Sequence, residues 1–100
     1  MMNSNIAPEQ FEFRRQIDGL VYRFRRQRDA QRRWGYKRTD GDDWIIWSQQ
    51  LGRIAGSWDN EDVFGRPWDQ LQRQSNACPP EGIWVSRKGS KSYVYDLVYL

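Results

Sequence analysis

The chain has no histidine and only one cysteine among its 100 residues. Without histidine, neither a Ser-His nor a Cys-His nucleophile pair can form, and the ordinary zinc ligand sets are incomplete. A lone Cys78 excludes an internal disulfide and fits a reducing compartment, so a cytoplasmic location is expected. Beside Pro79 and Pro80 that thiol reads as a small loop hydrophobe, not as a nucleophile. No uninterrupted apolar run exceeds four residues, as at Trp44 to Trp47, far short of a membrane-spanning helix. The opening MMNSNIAP lacks the charged-then-apolar order of a secretory signal. Residues 1–8 are expected to form a disordered tail and residues 9–100 a single domain. Gly35, Gly41, Gly52 and Gly56 match neither phosphate-loop nor dinucleotide fingerprints, and helix-turn-helix, zinc-finger and RNP signatures are missing too. No catalytic residue, metal ligand or cofactor is assigned.

Aromatic side chains are abundant, with six Trp, five Tyr and four Phe spread from Phe11 to Tyr99. Disordered chains are poor in such residues, so a folded domain with a core of few, large rings is expected.

Two periods compete over residues 11–26. A helix would align Phe13, Ile17, Leu20, Val21 and Phe24 on one arc, but must absorb Gly19 in its interior. A hairpin would turn at Asp18-Gly19 and set Phe13 opposite Phe24, Arg15 opposite Tyr22 and Glu12 opposite Arg25. The turn dipeptide favours the hairpin. A short strand fits residues 33–38, and residues 39–43 read as a turn. In the middle, Trp44, Trp47, Leu51, Ile54, Ala55 and Trp58 recur at spacings of three and four, which predicts a helix capped by Asp42 or Asp43. Pro67 at a first-turn position predicts a second, shorter helix to residue 74, with Trp68 and Leu71 inward. The C-terminus predicts two strands about a turn at Gly89. In the last strand Tyr93, Tyr95, Leu97 and Tyr99 face one way and Val94, Asp96, Val98 and Leu100 the other, so it needs cover on both sides. The fold class expected is α+β, an antiparallel sheet from the N- and C-terminal strands packed against one well-defined helix and one short helix.

Charge is unevenly spread. Residues 1–40 hold ten Arg or Lys against five acids, residues 41–70 two against six, and residues 71–100 four against two. The basic tract comprises Arg23, Arg25, Arg26, Arg28, Arg32, Arg33, Lys37 and Arg38, interleaved with the aromatic residues Trp34 and Tyr36. Guanidinium forks match phosphate geometry, and aromatic rings can stack on unpaired bases. Non-enzymatic binding of DNA or RNA is therefore the leading expectation. The ordinary reading of such a tract is a solvated face with surface ion pairs.

Two other readings stand beside it. Trp34 and Ile46 fall outside the apolar stripes and, with Tyr99, mark a surface for a protein partner, including a homodimer through the C-terminal strand. The acids Asp40, Asp42 and Asp43 together with Asp59, Glu61 and Asp62 would hold a divalent cation, and thus support a nuclease, only if the two groups converged. Neither group has the spacing of a calcium loop.

Overall fold

A computed structural model describes residues 8–48, 51–56, 63–68 and 78–100. The expected disordered tail lies almost wholly outside the described residues, as do Trp58, Asp59, Glu61, Asp62 and most of the second predicted helix.

Eight strands follow one another in chain order: β1 (Gln10–Arg15), β2 (Val21–Arg28), β3 (Trp34–Arg38), β4 (Trp44–Ser48), β5 (Gly52–Gly56), β6 (Val63–Pro67), β7 (Gly82–Lys88) and β8 (Lys91–Tyr99). Each pairs antiparallel with the next, and β8 returns to β1, closing a barrel. This overturns the expected α+β class. The described residues contain no helix, and the sheet is a complete wall instead of a platform.

The central helix is the main correction. Residues 44–56 form a β4–β5 hairpin with Ile45 opposite Ala55 and Ile46 opposite Ile54. Both faces of this pair are withdrawn from water: Ile45 and Ala55 lie in the lumen cluster, while Ile46 and Ile54 are buried on the other face. A strand buried on both faces loses the in-out alternation, and large apolar residues then recur at helix-like spacings by coincidence. The Trp- and Ile-rich run at 44–47 favours a pleated surface. Gly52 adopts φ +80°, a left-handed conformation that would interrupt a helix but suits the turn into β5. In that turn the Leu51 N–H donates to Ser48 Oγ at 3.0 Å. The predicted second helix fails where it can be seen: Pro67 ends β6 opposite Trp84, and Trp68 is 60% exposed, not inward.

The terminal hairpins do form. β1 and β2 pair with Phe13 opposite Tyr22 and Phe11 opposite Phe24, two residues away from the expected register. The faces survive because a shift of two preserves alternation. Its cause is a four-residue loop in place of a two-residue turn. The Arg15 N–H donates to Leu20 O at 2.7 Å, and Gly19, at φ +74°, donates to Arg15 O at 2.8 Å. Asp18 closes the loop by accepting from Arg15 Nε at 2.9 Å and from the Leu20 N–H at 3.1 Å.

Those contacts, the Arg15 side chain first and the Leu20 amide second, lower the Asp18 pKa from 3.8 to about 2. The folded state thus holds this proton less tightly than the unfolded chain does. Asp18 stabilises the fold above pH 3.8, and the contribution fades as pH falls to about 2. Asp18→Asn is expected to flatten the dependence of the urea midpoint on pH in that window. Glu12, held low by Arg23 and then Arg14, should maintain the residual slope.

Rings form the core of the lumen. Phe11 is fully buried, with ring centroids of Phe13, Phe24, Tyr36 and Tyr99 between 4.9 and 5.8 Å away. Phe13 continues the cluster to Trp84 and Tyr95, each at 5.3 Å. On β8, Tyr95 and Leu97 point inward as expected, and β1 and β7 cover both its edges. The free edge that dimerisation through this strand would require is therefore occupied.

Candidate nucleic-acid interface

In a meander barrel successive turns alternate between the two ends. The turns at residues 16–20, 39–43 and 89–90 lie at one end. The turn at residues 29–33 lies at the other, together with the start of β1 and the end of β8. The basic tract runs the full length of β2 and β3, so it reaches both ends. Alternation splits it again: Phe24 points into the lumen, and its neighbours Arg23 and Arg25 point out.

At the first end the charges are engaged. Arg38 Nε donates to Asp40 at 2.7 Å and its Nη1 to Asp43 at 3.0 Å, while the guanidinium lies 4.5 Å from the Tyr22 ring. Lys37 Nζ donates to Gly41 O at 2.6 Å and stands 3.8 Å from Asp42. The acids proposed as half of a metal site are thus the partners of the tract's last two cations. Among the described residues no group of three His, Cys, Asp or Glu side chains gathers as a metal site. Nearer the middle, Arg23 pairs with Glu12 at 2.9 Å.

The second end is different. The β1–β2 ladder stops at Gln10 opposite Arg25, whereas β2 and β3 continue to Arg28 opposite Trp34. The β3–β4 ladder pairs only Tyr36 and Lys37. Gln27, Arg28 and Trp34 therefore belong to a two-stranded ribbon that overruns both neighbouring ladders. Residues 25–34 carry five arginines against one aspartate, an excess of four positive charges.

Asp29 organises the ribbon's turn. It accepts the N–H groups of Gln31 at 3.0 Å and Arg33 at 2.8 Å, and the Arg33 Nε at 2.8 Å. Burial pushes its carboxyl upward, but the Arg33 backbone and side-chain bonds outweigh this and leave it below its ordinary value. Arg33 is thereby committed to the turn. Arg32 takes φ +66°, the one left-handed non-glycine among the described residues. That conformation costs an L-residue about 1–2 kcal/mol, partly recovered against the greater freedom of an unfolded glycine. Arg32→Gly is accordingly expected to leave stability unchanged or raise it by up to about 1 kcal/mol, measured by urea unfolding. The same change removes one charge from the ribbon.

Arg26 and Arg28 both lie against Trp34, with their guanidinium carbons 3.9 and 4.6 Å from the ring centre. Trp34 nevertheless remains 46% exposed. Each such contact contributes roughly 0.5–1 kcal/mol at an exposed site and limits the wandering of two long side chains. Beneath this end Arg53 is buried in the lumen, 5.9 Å from the Trp47 ring, and burial lowers its pKa. Sequence reasoning did not single it out, because a charge inside a barrel gives no local pattern.

The remaining expected site residues divide cleanly. Tyr36, expected to stack on bases, is a core residue whose hydroxyl donates to Pro8 O at 2.8 Å. Ile46, expected on a protein-binding surface, is fully buried. Tyr99 is half-buried and donates its hydroxyl to Pro79 O. Of the three interface residues only Trp34 presents itself. No helix of the described residues is long and apolar enough to cross a membrane. No family model, curated protein or solved structure matches this chain, so the geometry carries the functional argument by itself.

Proposed function

We propose that this barrel binds single-stranded nucleic acid through the overrunning β2–β3 ribbon. One observation carries the reading: Arg26 and Arg28 flank an exposed Trp34 on a hairpin whose net charge is strongly positive. Backbone phosphates would be met by Arg26, Arg28 and Arg32, and an unpaired base would stack on Trp34 or on a guanidinium plane laid against it; Arg25, on the outer face opposite Lys37, stays outside the contact. Arg33, Lys37 and Arg38 support the fold and stay outside the contact. No chemistry is required of the site, and none of its residues is assigned a catalytic part. Cytoplasmic placement, where Cys78 stays reduced, belongs to the same proposal.

The test is a titration of the protein into fluorescein-labelled oligo-dT and oligo-U, with a duplex as comparison, read by anisotropy. Three phosphate contacts to a single strand correspond to a loss of about 20-fold in affinity for a fourfold rise in salt. Tighter binding to single strands than to the duplex, with that salt dependence, is expected. Absence of binding at low salt, or affinity indifferent to salt, would overturn the proposal.

A further inference from the structure

The barrel's two ends are packed differently. Toward the ribbon, Phe11, Tyr36, Trp84 and Leu97 fill the lumen and are almost wholly buried. Toward the other end the lumen opens into a cavity of about 320 Å³. Eight-stranded barrels are just wide enough either to be filled by side chains or to hold one small ligand. This volume is at the small end of the range for ligand sites, about 300–1,000 Å³.

Six aromatic side chains form its wall: Phe13, Tyr22, Phe24, Phe64, Tyr93 and Tyr95. Phe64 reaches the wall because the β5–β6 register shifts at Ala55/Gly56, which pair with Gly65 and Val63 and leave Phe64 as the extra residue. A bulge of this kind re-aims a side chain that strict alternation would turn outward. Flat rings on several sides favour a flat guest. Charge at the rim sets its polarity. Arg38, Arg87 and Lys88 line the cavity against a single carboxylate, Asp43. Arg38 is already held by Asp40 and Asp43. Arg87 and Lys88 make no ion pair among the described residues and come from the β7–β8 hairpin directly over the opening.

We infer that the lumen is a binding site for a small, planar, largely apolar molecule bearing one acidic group, its rings among Tyr22, Phe64 and Tyr93 and its acid at Arg87 and Lys88. A buried aromatic body supplies the affinity, and the rim cations orient it with the acid outward. The site is at the opposite end of the barrel from the ribbon, so it stands or falls independently of nucleic-acid binding.

Two fluorescent probes with similar rings test it: anilinonaphthalene sulfonate, which carries an acid, and neutral phenylnaphthylamine. The folded protein should bind the sulfonate with one-to-one stoichiometry, at least tenfold more tightly than the neutral probe. The double variant Arg87→Ala/Lys88→Ala should remove that preference and leave the neutral probe's affinity within twofold. Ser86→Phe, which places a ring in the cavity from a lining position, should abolish binding of both, with near-ultraviolet circular dichroism confirming a retained fold. If that variant does not fold, Tyr93→Trp narrows the same space and should weaken both probes. Failure of either probe to saturate, equal affinity for the two probes, or binding untouched by both filling variants would overturn the inference.

Discussion

Phe11→Ala is expected to cost about 3–5 kcal/mol, a large part of the roughly 5–15 kcal/mol that holds a domain of this size together. Phe11 is fully buried and is the point where β1, β2, β3 and β8 meet through four ring contacts. Truncation removes the transfer energy of a benzyl group and leaves a void bordered by rings that cannot all collapse inward. Because β1 is the strand that closes the barrel onto β8, loosening there unfastens the seam as well as the core. Urea unfolding followed by tryptophan fluorescence would measure the loss. Phe11→Leu, which keeps most of the volume, should cost less than half as much. A loss under 1 kcal/mol for the alanine variant would mean that the rings do not converge in this way.

Trp34→Ala is expected to weaken single-strand binding by roughly 5- to 150-fold, the equivalent of about 1–3 kcal/mol for one stacked base. The double variant Arg26→Ala/Arg28→Ala should act differently. Removing two phosphate contacts lowers the salt slope by about 1.4, besides weakening the complex at low salt. Lys37→Ala serves as the comparison, since its ammonium is spent on Gly41 and Asp42 at the other end of the barrel. It should change the affinity less than twofold. Because these side chains lie at the open end of the barrel, the variants should cost no more than the roughly 0.5–1 kcal/mol of each cation–π contact they remove and lower the urea midpoint only slightly. Anisotropy titrations at two salt concentrations distinguish the stacking effect from the charge effect, and an equal response to Lys37→Ala would deny the ribbon any special part.

The terminal hairpins were legible because their signals are local. Asp18-Gly19 and Gly89 mark turns, and Phe11, Phe13, Tyr93, Tyr95 and Leu97 alternate with polar or smaller neighbours. The middle of the chain was not legible, because Ile45 and Ile46 are consecutive yet both buried, on opposite faces. Burial on two sides erases the period that distinguishes strand from helix. Closure was hidden for another reason. Phe11 pairs with Tyr99, a contact between the chain's two ends that no local window contains.

The basic tract shows the same limit at a functional site. Sequence proximity joined Arg25 and Arg26, but a strand sends consecutive side chains to opposite faces. Lys37 and Arg38 follow Trp34 by only a few residues, yet the length of β3 carries them to the other end of the barrel. Which cations converge was decided by ladder ends: where β1 stops opposite Arg25, and β2 does not. Aromatic richness correctly foretold a ring-built core, but nothing local could show that the rings would leave a cavity at one end of the lumen.

The central claim is tested most directly by adding an unlabelled single-stranded oligonucleotide to ¹⁵N-labelled protein and following the side-chain N–H signals. The indole of Trp34 and the Nε–H groups of Arg26, Arg28 and Arg32 should shift together and saturate at one ratio, with Arg38 undisturbed. Shifts centred on Arg38 and the turn at residues 39–43, or a spectrum that does not move at low salt, would contradict it.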